Sequence, residues 1–184
     1  MGRQRLDRRV YSRLFTTFQN SVFRLEILPQ YMVDEEQDQF AAFVKGRPVP
    51  VPESGVLWEW KELVSKKTAA GKSMIRVHVL PELLTSYLRF EIEWGYPYMA
   101  TAGEDIRLLL PETLRVLREL PKEDFWLFDD RIVVFLKYNN EGRFLGAELD
   151  QNELTVKECC TLRDVMLIHA VPLRKYLTTI RSAR

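Results

Sequence analysis

The chain has 184 residues, of which 46% are hydrophobic and 29% are charged, values that are ordinary for a soluble globular protein. This length is enough for one sizeable hydrophobic core and does not require two domains. No apolar run approaches the roughly 20 residues that a membrane-spanning helix needs, so no membrane association is expected. The formal net charge of +1 excludes a large uniform basic surface and makes direct nucleic-acid binding an unfavoured function.

Both chain ends are locally basic, and the N-terminal one is followed by a mixed segment, not by the continuous apolar stretch of a secretory signal. The only cysteines, Cys159 and Cys160, are adjacent and unsuited to a disulfide, so we expect a cytoplasmic protein with two packed or spare thiols; a redox-sensing pair is the alternative. The basic ends are either solvated helix faces or a phosphate-binding surface. Their residues are Arg3, Arg5, Arg8, Arg9, Arg13, Arg174, Lys175, Arg181 and Arg184.

The first quarter of the chain predicts a helix, a strand and a second helix. Apolar residues spaced by three to four predict an amphipathic helix over 6–20, and alternation over 23–27 predicts a strand that Pro29 closes. A short helix is expected from Asp34 to Gly46. Three prolines within 47–55 prevent a helix there. We therefore expect an N-terminal helix–strand–helix appendage (1–46), a Pro-rich connector (47–55) and an α/β core domain (56–184), packed as one compact unit.

The next segment has a βαβ pattern. Helical periodicity over 57–71 precedes a strand pattern over 75–79, and another helix begins near Leu84 and is weakened or ended by Gly95 and Pro97. The apolar run 106–110 suits a strand or a helix, and its strand-like length favours a strand. Such an order predicts two parallel strands joined by a right-handed crossover.

The last part of the chain predicts a meander and a long helix. Strand patterns over 125–128, 132–138 and 144–149 are separated by short Asp-, Asn- and Gly-containing links, which favour tight turns between antiparallel strands. A helix over 154–177 is expected to break at Pro172. The predicted fold class is α/β (α+β), with a mixed sheet that holds the βαβ unit and the meander and is flanked by helices.

Three charged residues near the start of the third predicted strand form one candidate ligand site. Glu104, Asp105 and Arg107 would lie at a strand end, where α/β sheets commonly bind ligands. In the structural alternative, Asp105 accepts hydrogen bonds from the preceding turn and Arg107 pairs with Asp124 or Glu91. The residues alone leave both interpretations open.

A segment in the middle of the chain adds charged and aromatic candidates. Arg89 and Glu91 alternate with apolar residues as in a strand, whereas in a helix Arg89 would pair with Glu93 and Glu91 would face elsewhere. Trp94 and Tyr96 belong to an aromatic loop that either stacks on a ligand ring or covers the edge of the core.

Carboxylates surround the strand over 125–128 and supply the remaining candidates, Asp124, Trp126 and Asp129. Their spacing matches no calcium loop, and carboxylates in turns usually bind the backbone. We expect no metal ion and no cofactor. His78 and His169 each suit a hydrogen-bonded core position better than a catalytic base, because no nucleophile or metal-ligand spacing accompanies them. Common catalytic and phosphate-binding motifs are absent from the sequence.

Five motifs carry a family resemblance. The segments FRLE (23–26), RFEIEWGYP (89–97), AGEDIR (102–107), DFWLFD (124–129) and GRFLGAE (142–148) resemble a family of uncharacterised actinobacterial proteins, a domain of unknown function whose members are often neighbours of helix-turn-helix regulators. This resemblance covers nearly the whole chain. It implies a cytoplasmic bacterial protein with a regulatory association and carries no established activity.

The order of elements is similar to one lobe of the phospholipase D-like fold, which hosts nucleases, lipases and non-catalytic sensors. Active members of that fold use a His-x-Lys pair, with the histidine as nucleophile. Here Leu80 follows His78 at that spacing, and Val171 follows His169. The resemblance therefore implies the fold and argues against its usual chemistry.

Together these observations favour a non-catalytic regulatory protein with a cleft for a small polar ligand or a peptide of a partner, expected to be a helix-turn-helix regulator. The expected cleft is lined by Trp94, Tyr96, Glu104, Asp105, Arg107, Trp126 and Asp129. The alternative is an enzyme acting on a nucleotide-like or phosphorylated small molecule, with Glu91, Asp105 or Asp129 as acid–base group and Arg107 or Arg89 holding an anion.

Overall fold

A computed structural model describes residues 2–114, 117 and 122–182, without the side chain of Arg181. The expected C-terminal basic cluster thus lies partly outside the described residues, since Arg184 is not among them. No helix in the described ranges is long and apolar enough to cross a membrane. The helices are α1 (Arg8–Thr17), α2 (Gln37–Val44) after a 3-10 turn (Asp34–Glu36), α3 (Gly55–Ala69), α4 (Ser86–Phe90), α5 (Tyr96–Ala100), α6 (Pro111–Leu114), α7 (Glu153–His169) and α8 (Leu173–Ser182).

The strands of the described chain form one eight-stranded sheet in the order β1-β7-β6-β5-β2-β3-β4-β8. Their bounds are β1 (Gln4–Arg5), β2 (Ser21–Glu26), β3 (Ser73–Val79), β4 (Asp105–Leu109), β5 (Asp124–Phe128), β6 (Ile132–Tyr138), β7 (Phe144–Asp150) and β8 (Val171–Pro172). The neighbours β2, β3 and β4 are parallel, and every other pair is antiparallel. The mixed sheet, the parallel β3–β4 pair and the β5–β6–β7 meander confirm the predicted fold class.

Strand β2 lies in the middle of this sheet, although the sequence placed it in an N-terminal appendage. It pairs in parallel with β3 and antiparallel with β5. Segments before and after the Pro-rich connector therefore share one sheet. Hydrophobic alternation alone gave the strand but not its partners, because strand order is set by contacts distant in the sequence.

Different helices cover the two faces of the sheet. On one face, Phe15 of α1, Val64 of α3 and Tyr96 of α5 belong to the same buried cluster as Val22 and other sheet residues. On the opposite face, α7 packs Val156, Cys159 and Met166 in a second cluster. The central strands are thus removed from water on both faces, and any polar side chain on them needs a partner inside the protein. We call the face that carries α1, α3 and α5 the helical face.

The crossover between β3 and β4 is one continuous helical segment. Gly95 and Pro97 were expected to weaken or end the helix, and they do not end it. The strand alternative for Arg89 and Glu91 is also wrong. A π-helical turn over Glu91–Gly95 joins α4 to α5, with the Tyr96 N–H donating to the Glu91 carbonyl. This wider turn lets the chain pass Pro97, which has no N–H to donate and whose ring would crowd an ordinary α-turn.

The predicted turns and the predicted break at Pro172 are confirmed. Asp129 and Asp130 have φ values of 50° and 54°, and the Arg131 N–H donates to the Phe128 carbonyl at 3.0 Å. Two consecutive left-handed residues form the tight hairpin that matches strand twist. After α7 ends, β8 crosses beside β4 before α8 begins.

Candidate functional site

Five charged side chains form an unbroken series of ion pairs on the helical face. Arg24 Nη2 lies 2.7 Å from Asp124 Oδ2, and Arg24 Nε lies 3.4 Å from Glu26 Oε1. Glu26 Oε1 also lies 2.7 Å from Arg76 Nη1, and Arg76 Nε lies 2.9 Å from Glu104 Oε1. We call this series, Asp124–Arg24–Glu26–Arg76–Glu104, the ion-pair chain. It spans three adjacent strands and the residue that precedes β4.

Strand geometry explains why these groups meet. Alternate residues of a strand point to the same face, so Arg24 and Glu26 share a face, as do Arg76 and His78. The parallel register places Arg24 opposite Arg76 and Glu26 opposite His78. Two polar positions on each of two paired strands therefore become one buried polar cluster.

The Asp124 end of the ion-pair chain is densely hydrogen-bonded. Asp124 accepts from Arg24, from the Tyr31 hydroxyl at 2.6 Å and from the Ile27 N–H at 2.9 Å. The hydroxyl of Tyr138 accepts from Arg24 Nη2 at 3.0 Å. However, Arg24 Nη1, which is buried, has no hydrogen-bond partner among the described residues. One strong donor beside this cluster is thus left unmatched by the part of the chain that the structure describes.

His78 and Tyr96 form a second polar group, which contacts the ion-pair chain at Glu26. His78 is fully buried, and its Nε2 donates to the Leu28 carbonyl at 2.9 Å because a carbonyl only accepts. Its Nδ1 contacts the Tyr96 hydroxyl, which also lies 3.2 Å from Glu26 Oε2. Burial opposes ionisation of Glu26, but the Arg76 guanidinium holds the pKa of this carboxyl well below its ordinary value. Glu26 is therefore the fixed negative centre of the cluster.

A cavity of about 240 Å³ lies beside the ion-pair chain, and we refer to it as the cavity. One side of the cavity is formed by residues 31–36, which follow β2, and we call this segment the roof. The sheet and the crossover helical segment supply other sides. Five tyrosines line it, together with Arg24, Arg76 and three glutamates. The tyrosines are Tyr11, Tyr31, Tyr87, Tyr96 and Tyr138, and the glutamates are Glu26, Glu36 and Glu91. An open groove of about 670 Å³ adjoins the cavity and shares Leu136, Tyr138 and Gly142 with it.

Glu36 and Glu91, which we call the acid pair, face the cavity from opposite elements. Burial raises the pKa of Glu91 well above its ordinary value, and the negative charges of Glu36 and Glu26 raise it further. Burial likewise raises the pKa of Glu36 to about 7, although the Tyr87 hydroxyl donates to it at 3.1 Å. Both shifts favour the protonated, uncharged form of these carboxyl groups, and Glu36 changes its protonation state near neutral pH.

The π-helical turn and Gly95 place the Glu91 carboxyl group. A Cβ atom at position 95 would lie 2.7 Å from Glu91 Oε1 and 3.0 Å from its Cδ. The carboxyl group therefore occupies the space that any side chain at this position would need. Since π-helical turns occur frequently at functional sites, the local geometry and the cavity support each other.

Gly95→Ala is expected to push the Glu91 carboxyl group out of its place and to lower the free energy of unfolding by about 1–3 kcal/mol, the usual cost of overpacking. Chemical denaturation measures this loss. In a Glu91→Ala background the same substitution should cost at least about 1 kcal/mol less, because its steric partner has been removed. An equal loss in both backgrounds would mean that Gly95 serves another purpose.

The acid pair also predicts how stability depends on pH. In the unfolded chain both carboxyls ionise near pH 4.5, whereas folding raises both pKa values. From about pH 5 to about pH 7 the folded protein thus holds more protons, and its free energy of unfolding should fall by about 1–3 kcal/mol as pH rises. The Glu36→Gln/Glu91→Gln double variant should lose this decline in urea denaturation, while Glu93→Gln, on the exposed side of the same helical segment, should keep it. A decline of equal size in the double variant would rule out the acid pair as its source.

Half of the sequence-derived candidates come together at this site. Asp124 and Glu104 are the two ends of the ion-pair chain, and Glu91 and Tyr96 line the cavity. Trp126 lies next to them, with the Arg24 guanidinium carbon 5.3 Å from its ring centre. These five residues reach the helical face from β5, from the position just before β4 and from the crossover helical segment.

The other charged candidates do not join them. The register pairs Asp105 with Ile75 and Arg107 with Val77, which pack in the α7 cluster, so both lie on the opposite face of the sheet. Arg107 Nη2 pairs with Asp105 at 2.8 Å, and not with Asp124 or Glu91 as the structural alternative expected. The expected cleft, as one set of residues, is therefore not formed.

Asp129 lies in the turn that follows β5, at the opposite end of this strand from Asp124. Its carboxylate accepts from the backbone N–H groups of Gln19 at 2.8 Å, Asn20 at 2.7 Å and Ser21 at 3.0 Å. Although partial burial opposes it, this hydrogen bonding lowers the pKa of Asp129. The residue fixes the entry to β2 and is not among the residues that line the cavity.

Arg89 and Trp94 lie on the outer side of the crossover helix. Arg89 is exposed. The Trp94 ring stacks between Phe90, with centroids 5.4 Å apart, and Tyr98, with centroids 5.2 Å apart. This ladder of aromatic rings covers the helix, in agreement with the interpretation that the aromatic segment protects the edge of the core.

Sequence reasoning missed the centre of the site. By pattern, Arg24, Glu26 and Arg76 are polar positions in strand alternation, the first two also within the FRLE motif, and Glu36 is part of a short helix. A usable signal was present, because each strand carries two polar positions on one face next to strongly apolar neighbours. Recognising it required knowing that β2 and β3 are adjacent and covered on both faces.

Comparisons with known proteins give a family and a fold. The family model described as "Domain of unknown function (DUF6879)" matches residues 9–178. No curated protein matches the sequence. Nuc from Salmonella typhimurium, a phospholipase D family member, is similar in structure, with a TM-score of 0.52 and 7% identity over 90% of this chain and 89% of that chain. This likeness supports the predicted phospholipase D-like fold and, at such low identity, nothing beyond the fold.

Two further solved structures are similar at lower scores. NucT from Helicobacter pylori has a TM-score of 0.49 and 11% identity, over 90% of this chain and 91% of that one. Phosphatidylserine synthase from Haemophilus influenzae has a TM-score of 0.46 and 11% identity, over 89% of this chain and 36% of that one.

Proposed function

The chain belongs to the family Domain of unknown function (DUF6879), and from this premise and the site geometry we propose that it is a non-catalytic, ligand-binding regulatory protein whose small polar ligand occupies the cavity. The single observation that carries this proposal is a cavity lined by buried polar groups with unused hydrogen-bonding capacity. Arg24 Nη1 and Glu91 Oε1 are both buried without a hydrogen-bond partner in the described chain. Buried polar atoms in folded proteins nearly always have partners, and a ligand would supply them here.

The rigidity of the surrounding groups supports binding over catalysis. Both arginines are held by carboxylates on neighbouring strands, and both ring nitrogens of His78 are engaged. A nucleophile or a proton carrier needs one reactive atom directed at the substrate. Charges fixed in this way instead suit recognition of one small molecule, because a preformed site costs little to order on binding.

A screen with a cavity-filling variant tests this proposal. Ligand-observed NMR of the full chain against a mixed library of small cations, anions and neutral polar molecules should find at least one binder. Val33→Trp, which places a large ring in the roof of the cavity, should abolish that binding, whereas Val44→Trp, at an exposed site on α2, should not. If no library member binds, or if binders ignore Val33→Trp, the cavity is not the ligand site.

A second candidate function is an enzyme acting on a nucleotide-like or phosphorylated small molecule. One observation favours it, namely that the pKa of Glu36, raised by burial to about 7, is matched to acid–base catalysis at neutral pH. The enzyme would be favoured if the protein turned over a phosphorylated substrate and Glu36→Gln abolished this turnover. The melting temperature of the variant should then differ from that of the unmodified protein by less than about 3 °C. Turnover that survives this change would remove Glu36 as the catalytic group.

The regulatory part of the proposal concerns a partner. The motif resemblance to neighbours of helix-turn-helix regulators supports such a protein as the partner, with ligand occupancy setting its affinity. Affinity purification of the tagged chain from its native host should recover the regulator in an amount that changes on Val33→Trp. Recovery of no DNA-binding protein would remove this part and leave the ligand site unaffected.

A further inference from the structure

Among the described residues, the acid pair has no positively charged ion-pair partner. The three carboxylates of the ion-pair chain already engage both of its guanidinium groups. Within the described part of the chain, no ion pair reaches Glu36 or Glu91. Glu91 is only 7% exposed, and no group in the described ranges donates a hydrogen bond to its Oε1. A ligand that donates to this atom would satisfy a buried acceptor that the protein leaves unmatched.

The surroundings of Glu91 favour positive charge. The carboxylates of Glu36, Glu26 and Glu104 act on it from the roof of the cavity and from the sheet, and Arg76 is the one guanidinium that opposes them among the groups acting most strongly on it. An anion entering this part of the cavity would meet more like charges than opposite ones. A cation in the same place would meet more opposite charges than like charges.

Aromatic rings complete an environment suited to a cation. Tyr31, Tyr87 and Tyr96 line the same cavity as the acid pair. Ring faces attract ammonium groups, and tyrosine hydroxyl oxygens accept hydrogen bonds from N–H donors. In other proteins, cages of aromatic rings bind quaternary ammonium groups by this attraction.

On the basis of the proposed function, we infer that the ligand is a small organic amine whose ammonium group lies between the carboxyl groups of Glu36 and Glu91. A volume of about 240 Å³ far exceeds that of a single ion. At about 30 Å³ for each water molecule, it equals roughly eight waters, and so accommodates an amine of about eight to ten non-hydrogen atoms. The unmatched Arg24 Nη1 offers a donor for a polar group elsewhere on the same ligand.

Binding of an ammonium group draws a proton from the acid pair. Before binding, burial and mutual repulsion favour protonated carboxyls, and an adjacent positive charge favours their ionised form. The titratable and charged groups that act on the pair are Glu26, Glu35, Glu104, Arg76, Tyr87 and Tyr96. The affinity for an amine should therefore increase from about pH 6 to about pH 8, where an alkylamine itself remains protonated.

Three probes of one shape and different charge test this inference on the full chain. Benzylamine, benzyl alcohol and benzoate share a ring and a short side group, and isothermal titration calorimetry measures their binding. The amine should bind at least about 10-fold more tightly than the other two, with proton release detected from the buffer dependence of the heat. Glu91→Gln should weaken the amine at least about 10-fold, because the amide carries no charge, while Glu93→Gln should leave it unchanged.

The opposite results separate the inference from the proposed function. Equal or tighter binding of benzoate or benzyl alcohol, or amine binding that Glu91→Gln does not weaken, would overturn the amine assignment. Stabilisation by calcium chloride that depends on Glu91 would assign the acid pair to a metal ion, and would also overturn it. A library binder that is anionic or neutral and sensitive to Val33→Trp would leave the proposed function standing and the amine excluded. The absence of any binder would remove both.

Discussion

Asp124→Asn is expected to lower the free energy of unfolding by about 3–5 kcal/mol, the cost of breaking a buried ion pair from one side. Asp124 is buried and accepts from three donors, among them the Arg24 guanidinium at 2.7 Å. The amide has almost the same shape but no charge, so the longer contact with Glu26 at 3.4 Å would be the one ion pair of Arg24 left among the described residues, beside its hydrogen bond to the uncharged Tyr138 hydroxyl. Urea denaturation at neutral pH measures the loss.

Asp105→Asn is the matched control. Asp105 pairs with Arg107 at 2.8 Å, almost the distance of the buried pair, but its side chain is 43% exposed. Exposed pairs contribute at most about 1 kcal/mol, so this variant should unfold close to the unmodified protein. If the two variants lost similar amounts of unfolding free energy, burial would not be the reason that the ion-pair chain stabilises the protein.

Gly142→Ala is expected to cost about 3 kcal/mol or more and to loosen the roof of the cavity. A Cβ atom at this position would lie 2.3 Å from the Gln30 carbonyl oxygen and 3.0 Å from Tyr31 Cα, so backbone would have to move. The Met32 N–H donates to the Gly142 carbonyl at 3.0 Å, which ties the roof to the β6–β7 turn. Faster hydrogen exchange at Met32, together with chemical denaturation, measures both effects.

Gly71→Ala separates the steric clash from backbone strain. Gly71 has φ +76°, close to the +81° of Gly142, but nothing lies within 4 Å of its would-be Cβ. Its substitution should therefore cost only the strain of a left-handed alanine, about 1–2 kcal/mol, and should leave exchange at Met32 unchanged. If Gly71→Ala and Gly142→Ala lower the free energy of unfolding by the same amount, the close approach between Gly142 and Gln30 does not stabilise the roof.

Local sequence signals predicted the elements of this fold well, because helix and strand periodicity and turn chemistry act over short distances. The Asp129-Asp130 turn and the break at Pro172 follow from backbone preferences that a single residue or pair carries. The central position of β2 did not follow, because it depends on pairing with β3 and β5 across long stretches of chain. The continuous crossover helix also did not follow, since a π-helical turn at Gly95 overrides the usual effect of Pro97.

The site was harder to predict than the fold for the same reason. Arg24 and Arg76 are ordinary strand residues by pattern, and only their adjacency in a sheet covered on both faces makes them a buried pair. Asp105 and Arg107 had the more suggestive position at a strand end, but the side-chain alternation of β4 directs them to the opposite face. Glu91 was identified from the sequence, whereas Glu36, its partner in the acid pair, was not.

A crystal structure of the full chain with its tightest library binder tests the central claim most directly, because it locates the ligand without assuming its chemistry. The account predicts density inside the cavity, with a ligand nitrogen within about 3 Å of Glu91 and the ion-pair chain unchanged around it. A ligand bound outside the cavity, with the cavity itself unaltered, would contradict the account.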